Sequence, residues 1–271
     1  MLFTVFGYPV SAYAAALLLA FAVGIWVAKR RVEARGLDGE AVVDAGMVIL
    51  FSSILGARLL FAVTHLDEFR PPRGLWLDAF NPLQSSGQLG ILGLSMLGGV
   101  ILALAAALAF LRWKRLPVLP YSDLLIPSVA LGEGITRIGC FLNGCCFGKV
   151  CALPWAVLFP LDSGPSRVLG HIPLHPTQLY ASVCGFALFG LLVWLARKPH
   201  PDGWIVCWYF VIAGSARIYF DFLRYYEPEV IFFRLAGSGI TVNQLLSAGL
   251  VLLAVGGLLA LRGKSAARGV G

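Results

Sequence analysis

Arg217, Asp221 and Arg224 stand at i, i+4 and i+7, which puts all of them on one face if the segment is helical. Two guanidiniums against one carboxylate leave that face positive, and a guanidinium fork can give a phosphate paired hydrogen bonds. Such a face could hold an anionic phospholipid headgroup; the plainer reading is an Arg217–Asp221 ion pair with Arg224 snorkelling toward an interface. Glu133 and Arg137 repeat the i, i+4 relation, and there mutual neutralisation that ties helices together is an equally good account. Arg58, following Gly56, is either a third phosphate ligand or the partner of an acidic residue such as Asp123 or Asp221.

Cys140, Cys145, Cys146 and Cys151 form a C-x4-C-C-x4-C cluster. That spacing lacks the C-x2-C half-site of structural zinc, so no metal site is expected. A disulfide stapling an outward loop is the plainer account, with reactive thiols as the alternative. His175 to Tyr180 reads as a helix start at an interface, with Pro176 suited to a first turn. Tyr13 and the Gly98-Gly99 pair are ordinary membrane features by themselves, a polar-tipped aromatic and a close-packing patch.

These side chains need elements to position them, and the composition says which kind. The 271 residues are 59% hydrophobic and 13% charged with mean hydropathy +0.83, far from what a soluble domain tolerates. Apolar stretches run at about 9–28, 41–64, 89–111, 121–142, 178–196, 203–223 and 241–261, each near the roughly 20 residues needed to cross a bilayer. The fold class is therefore an all-α membrane protein, a bundle of about seven transmembrane helices forming one polytopic domain over 1–271. The fourth stretch is the least regular, holding Asp123, Pro127, Gly132, Glu133, Gly134, Arg137 and Gly139. Breakers and charges of that kind belong inside protein or along a cavity.

Basic residues set the orientation. Alternate connections carry Lys29, Arg30, Arg31 and Arg35, then Arg112, Lys114 and Arg115, then Arg197 and Lys198, then Arg262, Lys264 and Arg268, together 12 of the 21 basic residues. The remaining connections are poorer, holding among others Arg70 and Arg73. The positive-inside rule thus places the N-terminus outside, the C-terminus in the cytoplasm and the loop at about 143–177 facing outward. Residues 1–28 contain no Asp, Glu, Lys or Arg, and the first basic cluster follows the apolar run, opposite to a cleavable signal peptide. The net charge of +7 sits at segment ends rather than along one stripe, so no nucleic-acid partner is expected.

Thr136 to Gly148 is similar, without gaps, to the G-R-I-G-N-F-x-N-G-E-x-x-G signature of the prolipoprotein diacylglyceryl transferase family. Gly56-Ala57-Arg58, Gly93-Leu94-Ser95 with Gly98-Gly99, His175 to Tyr180, Ala216-Arg217 with Asp221, Phe222 and Arg224, and Gln244 follow in the family's order, so the resemblance spans nearly the whole chain. It implies a seven-helix bacterial inner-membrane enzyme that moves the diacylglyceryl group of phosphatidylglycerol to the lipobox cysteine thiol of a prolipoprotein, with no metal or organic cofactor. It implies Arg137 and Arg217 as the arginines that meet phosphate, Asp221 orienting Arg217 where the family has Glu, and Asn143 and Gly148 as signature positions. Arg58, Arg224 and Tyr13 join the headgroup site on the same ground.

The sequence departs from the family at the same place. Leu97 stands where the S-x-H-G-G motif has the His proposed to activate the thiol, Cys140 replaces Asn, Cys145 replaces Glu, Thr136 replaces Gly, and Ala181 replaces Glu. Cys145 or Cys146 is the candidate substitute base or nucleophile. Three accounts stay open: a transferase activated differently, a transferase with another acceptor, or a lipid-binding relative. A seven-helix transporter is the alternative of a different class, but Arg137, Arg217, Asp221 and Arg224 all lie toward the outer half of their segments, whereas an ion path needs charges at several depths.

Overall fold

Where no water reaches the backbone, a chain satisfies its peptide groups by coiling on itself, and the long apolar runs do so. In the computed structural model, which describes residues 3–5, 8–66, 95–227, 231–235 and 238–268, the chain is mostly helical. A hairpin of β1 (Phe3–Val5) and β2 (Tyr8–Val10) precedes α1 (Ala12–Glu33), α2 (Glu40–Thr64), α3 (Met96–Trp113) and α4 (Val118–Leu142). The short α5 (Gly164–Leu169) interrupts a long connection to α6 (Thr177–Leu195) and α7 (Trp204–Leu223). A second hairpin, β3 (Ile231–Leu235) with β4 (Ser238–Thr241), leads into α8 (Val242–Arg268).

Six of these helices are long and apolar enough to cross a membrane, namely α1, α2, α4, α6, α7 and residues 242–262 of α8, while Leu97–Trp113 is a shorter apolar helix. The expected start of that third segment, with Gly93 and Leu94, lies outside the described residues, as do Arg70 and Arg73. Helices α1 and α8 differ at their ends from the hydropathy reading. Helix α1 begins three residues later because hairpin strands occupy residues 3–5 and 8–10, and it runs on through Lys29, Arg30 and Arg31, since Lys and Arg are good helix formers. Helix α8 likewise continues past the apolar run to Arg268.

The chain divides into two units, residues 32–121 and residues 1–31 with 122–271. In the first unit, α2 and α3 meet backbone to backbone. A Cβ on Gly56 would collide with the Gly98 carbonyl oxygen, a Cβ on Gly98 would collide with that of Gly56, and the Ser95 N–H donates to the Ala57 carbonyl at 2.9 Å. This is the small-residue packing that lets membrane helices gain contact where lipid offers no hydrophobic drive, and it gives Gly98-Gly99 the packing role read from sequence. Arg58 is buried here with its guanidinium over the Phe61 ring, 5.5 Å from the centroid.

In the second unit, α4 is held between α1 and α6 by the same device. A Cβ on Gly139 would lie 2.5 Å from Ala16 Cβ, one on Gly185 would lie 2.9 Å from Gly134 Cα, and Ser182 Oγ donates to the Gly134 carbonyl at 2.7 Å. The irregular composition of α4 is thus a consequence of having protein on two sides, and Pro127 is fully buried within it. Asp123 is not spent on an arginine. Its Oδ2 accepts from the Gly203 N–H at 2.7 Å and its Oδ1 from the Val206 N–H at 2.9 Å, capping the N-terminus of α7, where backbone donors are otherwise unsatisfied. A core of Ala130, Leu188, Leu192, Ala196 and Ile205 fills the space below.

Candidate active site

The C-terminal end of α4 supplies Glu133 and Arg137, and the C-terminal end of α7 supplies Arg217, Asp221 and Arg224. Both groups line one open cleft of about 530 Å³ together with Cys146 and Gln178. Three guanidiniums against two carboxylates leave it positive. The Arg137 guanidinium lies 3.5 Å from Glu133 Oε1 and Arg217 Nε lies 3.2 Å from Asp221 Oδ1, so both ion pairs read from helical spacing are formed. Arg224 is different. Its Nε is buried and has no hydrogen-bond acceptor among the described residues, and neither has Gln178 Oε1 a donor. A buried guanidinium N–H without an acceptor is costly to leave so, and an anion that brings its own oxygens could satisfy it.

Asp221 is fixed from three sides. Besides Arg217, it accepts from Tyr226 Oη at 2.9 Å and from Thr241 Oγ1 at 3.3 Å, and it is 5% exposed. Burial pushes the Tyr226 phenol up, against the pull of Arg224, so it stays a donor to the carboxylate. Thr241 is held in turn by a reciprocal cap on α8, its N–H donating to Gln244 Oε1 at 3.0 Å and its Oγ1 accepting from the Gln244 N–H at 3.3 Å. Gln244 stood out in the sequence but Thr241 and Tyr226 did not. The signal was the T-x-x-Q pattern opening an apolar run, which marks a capping box.

The segment after α4 forms the other wall. Gly144 and Cys146 have φ of +67° and +62°, left-handed values that a glycine takes freely and a cysteine does not. Two such residues curl the chain back, so that the Cys145 N–H reaches the Cys140 carbonyl at 3.1 Å. The curl is then stitched to both neighbours. Gln178 Nε2 donates to the Cys145 carbonyl at 2.8 Å, Thr177 Oγ1 to the Cys146 carbonyl at 2.9 Å, the Gly148 N–H to the His175 carbonyl at 3.0 Å, and the Lys149 N–H to the Leu223 carbonyl at 2.8 Å. A Cβ at Gly148 would lie 2.5 Å from His175 Cβ and 2.6 Å from its carbonyl oxygen, so only glycine fits. His175 to Tyr180 is therefore more than a helix start, because its first turn holds the curl.

This curl overrides what cysteine spacing implied. All six cysteines are free thiols, so the anticipated disulfide staple is not formed, and the sulfurs of Cys140, Cys145 and Cys146 lie within 4.8 Å of one another. Cys151 stands apart, accepting from the Leu153 N–H. Hydrogen bonds from the Cys140 and Cys145 thiols, aided by the Arg224 and Arg137 charges and opposed by burial, hold Cys146 well below the usual thiol range.

Of the other expected site residues, Asn143 is exposed and closes the last turn of α4 through its N–H to the Gly139 carbonyl at 3.0 Å. Tyr13 opens α1, with its Cα 3.2 Å from where a Cβ on Gly139 would sit. Neither is among the residues lining the cleft. Arg58 and Leu97 belong to the unit of residues 32–121, where Leu97 is exposed.

The family model for prolipoprotein diacylglyceryl transferase matches residues 1–260. Among curated proteins, the phosphatidylglycerol–prolipoprotein diacylglyceryl transferase of Clostridium tetani is 32% identical over 225 residues, covering 83% of this chain and 84% of that one. The protein of that name from Bordetella avium is 34% identical over 243 residues, covering 89% and 85%, and the one from Corynebacterium glutamicum is 29% identical over 255 residues, covering 89% and 75%.

Proposed function

This chain belongs to the prolipoprotein diacylglyceryl transferase family, and from that membership we propose the reaction its cleft performs. The diacylglyceryl group of phosphatidylglycerol passes to the lipobox cysteine thiol of a prolipoprotein. A carbon–sulfur bond forms at the glyceryl carbon, the carbon–oxygen bond to phosphate breaks, and glycerol phosphate leaves. The chain is a multi-pass membrane protein, in this reading of the bacterial inner membrane, one domain with about seven spans, N-terminus outside and the loop at about 143–177 facing outward.

The observation that carries the assignment is the convergence of Arg137, Arg217 and Arg224 on one cleft, with Arg224 Nε lacking an acceptor among the described residues. Phosphate oxygens satisfy such donors with paired, charge-assisted bonds. As the carbon–oxygen bond breaks, charge builds on the phosphate, and preorganised guanidiniums lower that barrier most where they need not reorient. Asp221, locked by Tyr226 and Thr241, keeps Arg217 so oriented. Asn143 and Gly148 join the assignment through the curl, and Arg58 and Tyr13 join it as headgroup residues on the family resemblance alone.

Complementation of a bacterium depleted of its own transferase, paired with a mobility-shift assay of a lipobox peptide in phosphatidylglycerol vesicles, tests the reading. Rescue and lipidated peptide, both lost in Arg137→Ala, are expected. A folded, membrane-inserted protein that yields neither refutes it.

A further inference from the structure

We infer that Cys140, Cys145 and Cys146 form a three-thiolate zinc site whose fourth position takes the acceptor thiol, an inference that rests on the transferase reading above. The three sulfurs lie within 4.8 Å of one another. A tetrahedral zinc with bonds of about 2.3 Å sets its sulfurs about 3.8 Å apart, so closing on the ion needs roughly 1 Å of contraction or less. The curl with positive φ at Gly144 and Cys146 brings these thiols to the end of α4. Gln178 and Thr177 hold the carbonyls of Cys145 and Cys146, so the curl is fixed through its main chain, and the Cys145 thiol reaches the Cys140 carbonyl at 3.6 Å.

Two further observations favour a metal with one open position. Three thiolates on a divalent ion carry net negative charge, and Arg137 and Arg224 line the cleft that Cys146 enters, so the surroundings compensate it. Sites with three protein ligands are the ones that leave zinc a place for substrate. Of the three thiols only Cys146 lines the cleft, so that place faces the bound phospholipid.

Thiol alkylation needs a thiolate, and among the described residues no histidine lines the cleft, where both carboxylates are engaged by arginines. A thiol that coordinates zinc is deprotonated outright. The acceptor would bind as R–S⁻ on the ion, its proton passing to water. Its sulfur then attacks the glyceryl carbon, the carbon–oxygen pair leaves with the phosphate, which regains a proton on release, and the neutral thioether dissociates. No oxidant or reductant enters.

The test is direct titration of the reduced, detergent-purified full chain with Zn(II), and with Co(II) as a spectroscopic stand-in. One ion per chain is expected, with a cobalt–thiolate charge-transfer band that grows when a lipobox peptide is added and does not grow with its Cys→Ser version. C140S, C145S and C146S should each weaken binding by at least the roughly 10–100-fold that changes around a metal's ligands cost, while C207S leaves it unchanged. Substoichiometric metal, a band indifferent to the peptide, or a reduced-versus-isolated mass difference of two hydrogens that maps to a disulfide among these cysteines would each overturn the site. Chelation separates this inference from the transferase reading. Turnover that survives removal of zinc sinks the metal role alone, whereas zinc-loaded protein that binds the peptide thiol but makes no lipidated product sinks the transferase.

Discussion

Asp221→Asn is the perturbation whose size the structure allows to be worked out. The carboxylate is paired with Arg217, so its effect on turnover should pass through that arginine. The substitution keeps shape and the Tyr226 and Thr241 partners but removes the charge 3.2 Å from Arg217 Nε. A hydrogen bond to a charged group is worth about 1.5–3 kcal/mol. If that sum is what holds the guanidinium toward phosphate, kcat/KM falls roughly 10- to 150-fold, at about 1.4 kcal/mol per tenfold. Initial rates of lipobox-peptide lipidation across phosphatidylglycerol concentrations measure it, with thermal unfolding in detergent to establish that the variant is folded. The cycle with Arg217→Lys decides the reasoning. In that background the same Asp221 change should cost under about 0.5 kcal/mol, because the residue it positions is already altered. Full additivity of the two losses, or wild-type rates in folded Asp221→Asn, would refute the positioning role.

Gly148→Ala puts a methyl group against His175 and its carbonyl, and overpacking of that kind costs about 1–3 kcal/mol; a lower midpoint of thermal unfolding together with reduced turnover is expected. Asp123→Ala removes both acceptors at the N-terminus of α7 and should lower stability by about 0.5–2 kcal/mol, read by denaturant titration, with kcat/KM of the surviving folded protein within about twofold. Ser182→Ala loses the 2.7 Å bond to the Gly134 carbonyl, for which membrane-protein cycles indicate about 0.6 kcal/mol, measurable in the same titration. Arg224→Lys keeps charge but loses the planar fork, so the Michaelis constant for phosphatidylglycerol should rise while peptide affinity, measured without lipid, stays put.

What the sequence disclosed followed from period and charge. The i, i+4 spacing of Glu133 with Arg137 and of Arg217 with Asp221 is fixed by the helical repeat, so those pairs could be written down before any fold was known. Apolar run lengths located the helices for the same reason. What was illegible depended on residues distant along the chain. Asp123 looked like a partner for Arg58 but caps α7, a bond spanning about eighty positions. Thr241 reaches Asp221 only because a hairpin turns α8 back. Cysteine spacing argued for a disulfide staple over a metal half-site because it assumes ordinary turns, and the left-handed backbone at Cys146, which gathers three free thiols, is not an ordinary turn.

The curl at 144–149 is bound to the start of α6 and to the end of α7 through the main chain of those cysteines and glycines rather than through their side chains. A cradle made of peptide groups is indifferent to the letters written on it. Glutamate could give way to cysteine at 145 without disturbing the path of the backbone that presents it. Reactivity at that position is thereby separable from architecture, since the bonds that hold the curl in place do not pass through its side chain.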